Sequence, residues 1–147
     1  MLGNDRHQLR SMFTDAWQRQ QHGLPLDALQ QVIVNIIALH PEYHGAVTDP
    51  DALEQDYNPE TGETNPFLHM SMHIALHEQI STDRPTGITS CYKDLCTALG
   101  SDHEAEHAMM ECLGEALWEA QRSHRMPDEA AYLGCIKKLL NEGIKPA

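Results

Sequence analysis

Seven of the ten histidines in this chain fall in three groups with one spacing: His40 and His44, then His69, His73 and His77, then His103 and His107. Neutral imidazole is the commonest metal ligand among side chains. On an α-helix, residues four apart lie about 40° apart round the axis and about 6 Å along it. Two such imidazoles can therefore reach one ion, and the spacing points to metal-binding chemistry. Glu111, four residues beyond His107, adds a carboxylate at the same interval. The candidate ligands are His40, His44, His69, His73, His107 and Glu111.

The elements that would position them are helical. Leu29, Val32, Ile33, Ile36, Ile37 and His40 recur at three and four, which puts His40 on the buried face of a helix. Pro41 disfavours the α conformation at His40, so the chain turns there. Asn65 is a good N-cap and Pro66 a good first residue for a central helix to about Ser81. On its wheel His69 and His73 cluster with Leu76 and Ile80, and His77 sits at the edge of that sector. Ser101 and Glu104 have capping-box spacing and open a helix over 102–123 that carries His103, His107, Glu111 and Glu115.

Three further helices complete the reading. One runs from about Asp5 to Gln21 with Leu9, Met12, Phe13, Ala16 and Trp17 on its apolar face. One spans Ile88 to Leu99, ended by Gly100, and one covers about Asp128 to Asn141, stopped by Gly143. Pro25 is expected in the first turn of the second helix, a short helical turn near Asp51–Gln55, and a turn at Asn58-Pro59-Glu60-Thr61-Gly62. The expected fold is all-α: a single-domain helical bundle of five or six helices and irregular topology over residues 1–147, with an ordered core from about 5 to 141.

Charge narrows the partners. Ten Lys and Arg against 22 Asp and Glu give a formal net charge of -12. Nucleic acid needs clustered basic residues, and anionic membrane surfaces repel an acidic chain. No apolar run approaches the roughly 18 residues of a membrane span, and residues 1–7 lack a signal-peptide pattern, so the cytoplasm is the expected location. Cys91, Cys96, Cys112 and Cys135 contain no C-x-x-C pair and read as buried free thiols, with thiolate ligation by Cys112 the lesser alternative. The methionine- and histidine-rich helix faces are also of a kind that can meet across a homodimer interface.

Three blocks carry a resemblance. His40-Pro41-Glu42-Tyr43-His44, Asn65-Pro66-Phe67-Leu68-His69-Met70-Ser71-Met72-His73 and His107-Ala108-Met109-Met110-Glu111-Cys112-Leu113-Gly114-Glu115 together resemble a small proteobacterial family known only as a domain of unknown function. The resemblance runs from Arg10 to about Leu139 and implies a cytoplasmic, single-domain bacterial protein, with no activity attached. A looser similarity is to DinB-like metal-dependent helical bundles, in which a histidine from one helix joins an H-x-x-x-H pair on another. His44 with His69 and His73, or His69 with His103 and His107, would imitate that arrangement.

Imidazoles with a carboxylate suit a divalent transition metal, zinc or iron foremost, then nickel or manganese. The expected function is transition-metal binding, either as a mono- or dinuclear metalloenzyme or as a non-catalytic buffer or sensor. The competing reading is a metal-free structural or interaction protein with a polar histidine core. The chain has no nucleotide loop, no G-x-S-x-G and no H-E-x-x-H.

Overall fold

Leu39 and His40 mark the point where the chain first leaves a long helix, and the helices on either side set up the first half of the molecule. The computed structural model describes residues 2–53, 55–57 and 65–142. Among these the fold is all-α, with seven α-helices rather than five or six: α1 (Leu2–Gln21), α2 (Ala28–Ala38), α3 (His44–Thr48), α4 (Pro66–Thr82), α5 (Ile88–Leu99), α6 (Asp102–Ser123) and α7 (Glu129–Glu142). The additional helix is the five-residue α3, too short to show a periodic pattern. Two 3-10 turns, Pro41–Tyr43 and Pro50–Leu53, flank it. The expected turn at 58–62 and the stop at Gly143 lie outside the described residues. Two compact units divide the chain, Met1–Ile74 and Ala75–Ala147, with the boundary inside α4.

In the first unit, α1 packs on α2 and α3. Phe13 and Ala16 of α1, Ile33, Val34, Ile36 and Ile37 of α2, Val47 of α3, Ala52, and Phe67 and Met70 of α4 form one buried cluster. The α1 stripe is rotated from the one expected. Leu9 and Met12 are exposed, and Arg10 is buried at 4% exposure. The reason is polar. Arg10 Nη1 donates to the carbonyls of Ala52, Leu53 and Gln55 at 3.1, 3.3 and 2.7 Å. Its guanidinium lies 5.0 Å from the Phe67 ring centroid and 5.5 Å from that of Tyr57. A guanidinium so placed donates to carbonyls at the end of the second 3-10 turn and sets its charge over aromatic rings. Phe67 in turn meets Phe13 edge-on at 6.0 Å. The first turn of α4 is thereby tied to α1.

Helix α2 begins later than Pro25 suggests. Asp27 is its N-cap, in a reciprocal capping box with Gln30: the Gln30 amide donates to Asp27 Oδ1 at 2.8 Å, and the Asp27 amide to Gln30 Oε1 at 3.0 Å. Helix α4 starts where Asn65 and Pro66 place it, with Asn65 Oδ1 accepting from the amides of Phe67 and Leu68.

In the second unit α5, α6 and α7 pack on one another. Leu76, Ile88, Leu95, Ala105, Met109 and Ile136 are fully buried. Gly100 ends α5 with φ 71°, a left-handed value that costs other residues a Cβ clash. Ser101 Oγ accepts from the Glu104 amide at the start of α6. Asp83 Oδ1 accepts from the amides of Gly87 and Thr89 at the start of α5, and these hydrogen bonds, that of Thr89 first, hold its carboxyl below the ordinary range. Tyr132 is buried and donates to Gln79 Oε1 at 2.7 Å, and its burial pushes the phenol well above its usual range.

The cysteine reading needs correction. Cys112 of α6 and Cys135 of α7 are joined by a disulfide, and only Cys91 and Cys96 are free thiols. Pairing across two packed helices leaves no local spacing signature, which is why the sequence pattern did not disclose it.

Two stability outcomes follow from these contacts. Arg10→Met removes three hydrogen bonds to backbone carbonyls and the guanidinium over Phe67 and Tyr57, and lowers the unfolding free energy by about 3 kcal/mol, read from urea denaturation. Cys135→Ser opens a crosslink between residues separated by 23 positions and costs about 2–3 kcal/mol under oxidising conditions, with no such cost in reductant.

Candidate metal centre

The end of α2 supplies the first imidazole. His40 adopts φ -128° and ψ 70°, the non-helical conformation that Pro41 favours. It is 2% exposed. Its Nδ1–H donates to the Ile36 carbonyl at 2.7 Å. That carbonyl lies in the last turn of α2 and also accepts from the Leu39 amide at 3.2 Å, so the imidazole takes its second lone pair. With the proton on Nδ1, the lone pair of a neutral ring sits on Nε2, the atom left to bind an ion. A backbone carbonyl behind a ligand imidazole fixes its tautomer and raises its basicity.

Helix α4 supplies the next two. His73 is 2% exposed and His69 is half-buried. Their Nε2 atoms approach to 3.3 Å. Two nitrogens on one tetrahedral zinc ion, at about 2.0–2.1 Å each, stand about 3.3–3.4 Å apart. The ring centroids of His40, His69 and His73 form a near-equilateral triangle with sides of 5.0, 4.8 and 4.9 Å. Each ring offers a nitrogen within 4.8 Å of the others. All three belong to the first unit, and the donor set they make could hold a metal.

Tyr43 is the residue that sequence reasoning passed over. The 3-10 turn Pro41–Tyr43 returns the chain on itself, the Tyr43 amide donating to the His40 carbonyl at 2.9 Å. The phenol ring then stacks on His40 at 5.4 Å and 12° and meets His69 edge-on at 5.6 Å. Burial, and secondly the charge of Glu42, push its phenol above the ordinary range, so the ring is neutral at physiological pH. Its position three residues after His40 in a proline-led turn was the available signal.

Of the other expected histidine ligands, His44 is set apart from this group. His44 opens α3; its Nε2–H donates to the Ile37 carbonyl at 3.0 Å, and its ring lies 4.7 Å from that of Trp17. It is not among the clustered nitrogens. His77 is exposed on α4. In the second unit, His107 is half-buried on α6 with its ring 4.1 Å from that of His103, and Glu111 is exposed on the same helix. Cys96 has its thiol pushed up by burial first and then by a hydrogen bond to Asp102, a poor setting for a thiolate ligand. A cavity of about 590 Å³ lies in this unit along α6 and α7, bordered by Cys112, Glu115, Tyr132 and Cys135, and no histidine lines it.

A family model described as Domain of unknown function (DUF1841) matches residues 5–138. The chain belongs to that family. The match spans every block on which the resemblance rested. No curated protein and no solved structure matches the chain. Among the described residues, no helix is long and apolar enough to cross a membrane.

The hydrogen bonds at the end of α2 require opposite tautomers of two nearby imidazoles. In metal-free protein, long-range ¹H–¹⁵N correlation spectra are expected to show His40 protonated on Nδ1 and His44 on Nε2. The same tautomer at both positions would contradict these donor assignments.

Proposed function

We propose that this chain is a transition-metal-binding protein in which His40, His69 and His73 are imidazole donors. The observation that carries the reading is the His69–His73 pair, whose Nε2 atoms already stand at the separation two nitrogens take on one tetrahedral ion. His40 adds a third ring whose tautomer leaves Nε2 for ligation. All-nitrogen donation by neutral imidazoles suits zinc and iron, and also nickel, better than magnesium or calcium, which prefer oxygen.

A second reading has an observation of its own. The three rings, Tyr43 and the Ile36 carbonyl already contact one another as a polar cluster inside the first unit. Such a cluster is able to serve as a hydrogen-bonded core without metal.

Elemental analysis of protein purified without a histidine tag separates the two. The metal reading expects one transition-metal ion per chain and its loss in His69→Ala and His73→Ala. It also expects a melting temperature lowered by chelator, and metal release below about pH 6, because protons compete for the same nitrogens. Metal-free protein whose melting is indifferent to added zinc and to chelator would establish the polar core instead. His107→Ala and Glu111→Ala, measured in parallel, define the extent of the donor set: weakened binding adds that residue, and unchanged binding leaves the three imidazoles. In the cobalt-substituted protein, a coordination position that exchanges with added azide would favour an enzyme, and a set saturated by protein donors a buffer or sensor.

A further inference from the structure

We infer that Tyr43 is a positioning residue for this site, its ring forming the wall that holds His40 and His69 in ligating orientation; the inference rests on the metal reading above. The terminal torsion of a histidine is broad and roughly two-fold, so the ring does not orient itself. His40 is restrained at one edge by its hydrogen bond to Ile36, and the stacked phenol ring restrains its face. The same phenol ring, at 65° to His69, blocks that imidazole from swinging toward it. One side chain thus bears on two of the three donors, which come from different elements: the end of α2 and the first turns of α4.

The local chain explains how Tyr43 comes to be there. Pro41 turns the backbone out of α2, and the 3-10 turn that follows places residue 43 over residue 40. The contact needs a flat aromatic face, since it works by stacking and edge packing. The phenol hydroxyl is not required for it. Phenylalanine should therefore replace tyrosine, and a branched aliphatic side chain should not.

The test uses full-length untagged protein, stripped of metal and titrated with Co(II) alone against a competing chelator, with the visible absorption bands recorded. Tyr43→Phe is expected to bind within about threefold of the unsubstituted protein with the same bands, whereas Tyr43→Leu weakens binding by about tenfold and shifts them, the size typical of losing an outer-shell partner. Leucine keeps the apolar bulk, and far-UV circular dichroism checks that the helices are retained. Tyr43→Leu with unaltered affinity and bands overturns the inference, as does Tyr43→Phe behaving like Tyr43→Leu. His40→Ala and His69→Ala are titrated alongside. If both bind Co(II) like the unsubstituted protein, the donor set itself is wrong, a result independent of the Tyr43 variants.

Discussion

Imidazoles placed inside an apolar unit must each find a polar partner, because burying an unmet donor or acceptor costs on the order of 1–3 kcal/mol. The first unit meets this constraint with the end of α2. The last carbonyls of any helix are left over by its own hydrogen-bonding pattern. Here the Ile36 and Ile37 carbonyls accept from the amides of Leu39 and His40 and also from the side chains of His40 and His44. The terminus of α2 also presents the negative end of its dipole to this region, a favourable setting for a cation. Helix termination and construction of the candidate site are therefore one structural event, and Pro41 governs both.

Arg10 answers the same constraint from the other side. It carries a charge into the interior and spends it on the carbonyls of 52, 53 and 55. Through Phe67 it also touches the start of α4, where His69 and His73 reside. The two polar solutions bracket the candidate metal centre: one fixes the segment that carries His40, the other the helix that carries the remaining pair.

What the sequence disclosed and what it hid divide along physical lines. The start of α4 at Asn65-Pro66, the end of α5 at Gly100 and the departure of His40 from helical geometry were legible, because each depends on a residue and its immediate neighbours. The inward direction of His69 and His73 was legible from helical periodicity. Arg10 was hidden, since an arginine on an apolar stripe reads as an interruption until its distant carbonyl partners are known. Leu9 and Met12 were misplaced for the same reason. The roles of His44 and Tyr43 were hidden because both depend on tertiary neighbours: Trp17 for the first, His69 for the second. Glu111 shared the four-residue interval of its histidine yet stands in solvent, a reminder that spacing fixes direction on a helix only to within the width of a face.

The link between Cys112 and Cys135 bears on how the second unit comes apart. Residues 124–127, between α6 and α7, are exposed, the usual setting for attack by a protease. In an uncrosslinked helical hairpin, one cut there would let the last helix drift away. Here the severed piece stays attached through sulfur, so a nicked chain keeps its mass on a non-reducing gel and yields two fragments only after reduction. Damage to this connection would be silent in an oxidising compartment and expressed on passage to a reducing one.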